Sequence, residues 1–76
     1  MIVDMLERPI KEGDFVVYYN KVYRVGDYGN EVNRFASIPI CLIDKTKSTK
    51  TVKKPAADLC LLDREEVMIW KLKRGY

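Results

Sequence analysis

Histidine is absent from these 76 residues, tryptophan occurs once and cysteine twice. Without histidine the commonest general base and zinc ligand is missing, and neither cysteine belongs to a CxxC pair, so the usual zinc sites have no ligand set. Cys41 and Cys60 sit inside apolar runs, Ile40-Cys41-Leu42 and Leu59-Cys60-Leu61. They read as reduced core thiols, with a disulfide between adjacent strands as the other reading. No apolar run approaches the roughly 20 residues needed to cross a bilayer. Met1 to Pro9 has no basic stretch ahead of its short apolar patch, which Asp4 and Glu7 interrupt, so it reads as neither signal peptide nor anchor. A cytoplasmic location is expected by default. A dominant charge is lacking too: 14 Lys and Arg against 11 Asp and Glu leave +3, with the acids spread along the chain. That is not the balance of a strongly basic nucleic-acid coat protein.

What is present is globular composition, 47% hydrophobic and 33% charged. A chain this short makes one domain over residues 1–76, with one core and little room for a deep pocket. The most informative stretch runs from Gly13 to Val25. Pro9 and Gly13 punctuate its entry, Phe15 to Tyr19 reads as a strand, Asn20-Lys21 as a two-residue turn and Val22 to Val25 as the returning strand. Period-2 alternation puts Val16 and Tyr18 on one face and Phe15, Val17 and Tyr19 on the other. Both faces are apolar, and a small barrel needs only one of them for its core. The surplus face must be covered, either by the chain itself, through Trp70 or Ile2, Met5 and Leu6, or by a partner.

Gly26 to Asn33 is rich in turn formers and reads as an exposed loop with Tyr28 near its tip. Phe35 to Ile43 resumes strand character, but Pro39 cannot donate to a ladder and points to an edge strand or a bulge. Asp44 to Thr51 reads as a Lys-rich hairpin connection, Thr51 to Lys53 as a short strand, Pro55 to Asp58 as one 3₁₀ turn and Leu59 to Leu62 as a last buried strand. Asp63-Arg64-Glu65-Glu66 then has capping-box form, with Leu62 and Val67 at the staple positions. It predicts a C-terminal helix over 63–74 whose apolar stripe is Met68, Ile69 and Leu72, with Val67 and Trp70 off it. The rival reading is a sixth strand with Met68, Trp70 and Leu72 on one side.

This order of elements resembles the SH3-like barrels. The likeness is carried by Gly13-Asp14-Phe15-Val16 opening the first long strand, Tyr23-Arg24-Val25 closing the second, and Val52 with Pro55-Ala56-Ala57-Asp58-Leu59 leading into the last. It covers about Ile10 to Leu62 and is similar to domains of KOW and Tudor-like proteins and of short bacterial and phage accessory proteins. The resemblance implies a mainly β fold, a single barrel of about five strands with a short C-terminal helix. It also implies a binding module for peptides, proteins or RNA that rarely catalyses. No site residue is carried over from it: there is no glycine at the KOW position before Gly26, and no acidic loop with a Trp pair of the peptide-binding kind.

The residues themselves offer two candidate surfaces. Phe15, Val17, Tyr19, Tyr28 and Trp70, with Lys71, Lys73 and Arg74 at the rim, suit a partner protein, since aromatic side chains anchor such contacts. Lys45, Lys47, Lys50, Lys53 and Lys54, five lysines in ten residues, suit a nucleic-acid backbone, with Tyr18, Tyr19, Tyr23, Tyr28 and Phe35 as possible stacking platforms. The bland alternative is a solvated hairpin whose lysines discourage edge pairing. Glu65 and Glu66 are adjacent on a helix, point in different directions and serve its N-terminal dipole rather than acid–base catalysis. No catalytic residue, metal ligand or cofactor is expected. The expectation is a non-enzymatic adaptor or inhibitor, with RNA or single-stranded nucleic-acid binding as the alternative.

Overall fold

The fold comes from a computed structural model that describes residues 2–43 and 51–74. Its strands are β1 (Phe15–Tyr18), β2 (Lys21–Val25), β3 (Ser37–Leu42), β4 (Thr51–Pro55) and β5 (Cys60–Leu61), with a 3₁₀ turn at Ala56–Asp58 and a helix α1 at Arg64–Arg74. The strands form one antiparallel sheet in the order β4-β3-β2-β1-β5, so a four-strand meander is followed by a strand that returns beside the first. The protein is mainly β. Among the described residues no ladder joins β4 to β5, and the sheet is not closed.

Register explains the core. Val16 pairs with Tyr23 and Leu61, Tyr23 with Leu42, and Val25 with Ile40. The pairing sends Val16, Tyr18, Tyr23, Val25, Ile38, Ile40 and Leu61 to one face, where Ile2, Ile10, Ala56 and Leu59 complete the buried cluster. The N-terminal segment is therefore part of the core, not a tail to it: Val3 bridges to Pro9, the Ile10 amide donates to Ile2 O at 3.0 Å, and both isoleucines are fully buried. Phe15, Val17, Val22, Arg24, Cys41 and Cys60 occupy the opposite face. Cys41 on β3 and Cys60 on β5 have β2 and β1 between them, so these cysteines are not on adjacent strands.

Two details differ from expectation. The first hairpin turns at Tyr19-Asn20, not Asn20-Lys21: Tyr18 pairs with Lys21, and Tyr19 and Asn20 take φ of 47° and 63°. Neither position holds glycine, so local turn chemistry does not choose between the two loops. The pairing further down does, where Val25 N–H donates to Asp14 O and Gly13 N–H to Val25 O, both at 2.8 Å. Gly13 makes that contact with φ +90°, a conformation side chains rarely adopt.

Pro39 lies in an inner strand, between β4 and β2, rather than at an edge. It is tolerated because β2 ends at Val25: Pro39 sits where the ladder with β2 stops, and its carbonyl accepts from Gly26 N–H at 2.9 Å.

The chain after β5 is helical, and the capping box forms in both directions. Glu66 N–H donates to Asp63 Oδ1 at 2.8 Å and Asp63 N–H to Glu66 Oε1 at 3.2 Å. The helix meets the sheet through Val67 and Trp70, with the Trp70 ring 6.3 Å from that of Phe15. The stripe of Met68, Ile69 and Leu72 faces outward, and Trp70, off the stripe, supplies the cover for Phe15 that the sequence offered as one reading. The exit from the sheet sets this orientation, because Leu62 N–H donates to Phe15 O and the helix starts beside Phe15.

Candidate functional site

The one fully buried charged side chain among the described residues was not marked out by the sequence. Asp4 is completely buried. Its Oδ1 accepts from the amides of Leu6 at 3.0 Å and Arg8 at 2.8 Å, and its Oδ2 from the Leu61 amide at 2.8 Å and Arg8 Nε at 3.1 Å. Arg8 in turn donates to Leu61 O at 2.6 Å and lies 3.3 Å from Cys60 Sγ. Burial alone pushes the Asp4 carboxyl up, but the hydrogen bonds from Leu61, Arg8 and Leu6 outweigh it and hold the carboxyl below its ordinary value. Arg34 braces the same loop, donating to Asp4 O at 3.0 Å and lying 3.4 Å from a Glu7 carboxylate oxygen. Every partner of Asp4 is structural. The group shapes the loop of residues 5–7 and presents Met5 and Leu6 to solvent, 47% and 61% exposed.

Across from that loop stands the tip of the first hairpin. Tyr19 is 81% exposed, and its ring meets Tyr18 edge-on at 4.5 Å. Met5, Tyr18, Tyr19 and Asp58 line one shallow hollow. Tyr18 also touches Tyr23, with centroids 6.2 Å apart, and carries the Lys54 ammonium 5.4 Å above its ring. Phe35, 72% exposed, lies against the Arg34 guanidinium at 5.6 Å.

The five residues expected to make one protein-binding face are divided among three places. Phe15, Val17 and Trp70 come together, but under α1: Trp70 and Lys71 cover Phe15, and Val17 lines a groove with Val22, Leu62 and Trp70. Tyr19 is separate from them because its left-handed backbone ends the strand alternation at Tyr18. Tyr28 belongs to its loop as expected, yet its hydroxyl donates to Ile10 O at 2.6 Å and its ring packs on the core. Of the lysines, Lys53 is exposed on β4 and Lys54 is drawn inward to Tyr18, while Lys45, Lys47 and Lys50 lie outside the described residues. The rim residues Lys71 and Lys73 lie along the two flanks of α1.

Among the described residues no cluster of three or more His, Cys, Asp or Glu could hold a metal ion, and no helix is long and apolar enough to cross a membrane. No family model matches the chain, and neither a curated protein nor a solved structure matches it.

Proposed function

We propose that this chain is a small SH3-like binding module without catalytic activity, an adaptor or inhibitor that engages a partner protein through the apolar surface around Tyr19. What supports the SH3-like reading is the succession of elements along the chain, four antiparallel strands, a 3₁₀ turn and a short fifth strand. The functional reading is carried by Tyr19 itself. An aromatic residue in the left-handed region costs about 1 kcal/mol that Asn or Gly would avoid, and strain of this kind is concentrated at functional sites. The chain accepts that cost to hold a ring that buries little of its own surface, beside exposed Met5.

The test compares the native chain with Tyr19→Asn. Asparagine relieves the backbone and forfeits the ring contact with Tyr18, terms of about 1 kcal/mol each, so stability should move by less than about 1 kcal/mol. In affinity capture from lysate, a discrete protein should survive nuclease and high salt on the native chain and be lost from the variant. Nucleic acid retained only at low salt and released by nuclease would overturn this reading in favour of the lysines.

A further inference from the structure

The sheet has two edges, and the chain treats them differently. At β5 both outward backbone groups of Leu61 are taken, the amide by Asp4 Oδ2 at 2.8 Å and the carbonyl by Arg8 at 2.6 Å. At β4 the register leaves the opposite result. Ile43 N–H donates to Val22 O and Gly26 N–H to Pro39 O, so Pro39, Cys41 and Ile43 turn their backbone groups toward β2. Alternation then turns those of Ile38 and Ile40 toward β4, where they meet Lys54 and Val52. Thr51 and Lys53 therefore point their N–H and C=O groups away from β3, and among the described residues no strand lies beyond them. Thr51, Val52 and Lys53 are all exposed.

We propose that this edge receives an extended acidic segment of a partner protein as an added strand. Lys53 selects the occupant. Lysine on an edge discourages pairing with a like strand, and a second copy of β4 laddered through Lys53 about a two-fold axis would set the two Lys53 side chains opposite or diagonal to each other. An Asp or Glu at that position pairs with Lys53 instead. The neighbours of that acid fall on the other side of the added strand, where β-branched side chains would cover Val52, 37% exposed. Lys54 does not compete for the acid, since its ammonium lies 5.4 Å over the Tyr18 ring. Backbone exchange with Thr51 and Lys53 supplies affinity, and the acid opposite Lys53 supplies the choice of sequence. The edge uses none of the residues around Tyr19, so strand addition and capture at Tyr19 can fail independently.

Amide hydrogen exchange read by NMR on the full chain tests this, with a short peptide that alternates Glu with Val and Thr raised to millimolar concentration. The amides of Thr51 and Lys53 should slow at least about tenfold, while those of Val52 and Lys54, already bonded to β3, change little. Lys53→Glu should weaken peptide binding about fivefold or more with an unchanged circular dichroism spectrum, because the side chain is exposed. The same variant should bind the peptide in which Lys replaces each Glu. Exchange at Thr51 and Lys53 that the peptide leaves unaltered overturns the proposal. So does binding that vanishes at high salt without protecting these amides, which is charge attraction alone. Slowing that rises with chain concentration in the absence of peptide overturns the acidic partner in favour of a second copy.

Discussion

The Asp4 carboxylate accepts a hydrogen bond from the amide of Leu61, 57 residues further along the chain. Arg8 donates to the carbonyl of the same residue, so one Asp–Arg pair satisfies both outward-facing backbone groups of Leu61 on the terminal strand β5. A two-residue strand gains little from its own ladder, and an exposed edge invites pairing with other chains. The pair takes the place of a sixth strand. It also ties the loop beneath it to the core, where Ile2 and Ile10 are buried.

Asp4→Ala should therefore be among the most damaging single substitutions in the chain. It would leave the amides of Leu6, Arg8 and Leu61 and the Arg8 guanidinium without their shared acceptor. Leaving a buried donor without its acceptor costs roughly 1–3 kcal/mol, and several amides lose theirs together. A domain of this length has about 4–11 kcal/mol in all. Urea unfolding should show a midpoint lowered by a third or more of its native value. A midpoint within a tenth of native would mean that water replaces the carboxylate without loss.

The same carboxyl gives the fold an acid dependence whose sign is fixed. Its folded pKa lies below the ordinary value, so the unfolded chain takes up the proton first as pH falls. The stabilisation is complete above the unfolded pKa of about 3.9 and is lost as pH drops through the folded value. Thermal melts from pH 6 to pH 2 should show the native chain far ahead of Asp4→Asn at the upper end. The gap should close toward the lower end, and a constant gap would exclude Asp4 as its source.

The first hairpin, the succession of five strands along the chain and the capping box were legible because each is written in contiguous residues: apolar alternation from Phe15, Pro55 before the 3₁₀ turn, Asp63 three residues before Glu66. What was not legible depends on residues that meet only after folding. Asp4 looks like an interruption of an apolar patch until Leu61 is beside it. Tyr28 looks like a loop-tip aromatic until its hydroxyl finds Ile10 O. Which side of α1 would be buried could not be read from the helix alone, because Met68, Ile69 and Leu72 form a stripe and Val67 and Trp70 lie off it; that Trp70 covers Phe15 agrees with the reading of the surplus face. The choice of buried side was made by where the chain leaves Phe15, not by the helix itself.

Asp63→Ala isolates the contribution of the capping box. The substitution removes the acceptor for the Glu66 amide, which costs about 1 kcal/mol in a typical helix. An 11-residue helix is marginal on its own, so the loss should appear locally. Hydrogen exchange should quicken over the first turns of α1 while the amides of β1 and β2 keep their protection. Uniform quickening would show instead that helix and sheet unfold as one unit.

Trp70 is the single tryptophan of the chain, and its emission reports directly on whether α1 is docked. Its ring lies 6.3 Å from that of Phe15 and tilted by 38°, a geometry worth about 0.5–1.5 kcal/mol beyond the area it covers. Phe15→Ala removes that support but leaves the core face of β1, where Val16 is buried, untouched. The expected result is a red-shifted Trp70 emission and reduced helical dichroism, with sheet protection retained, because α1 undocks before the sheet opens. If Phe15→Ala abolishes the protection of β1 and β2 as well, then α1 is a structural wall of the domain. In that case the groove over Val17 and Val22 exists only while the whole fold does.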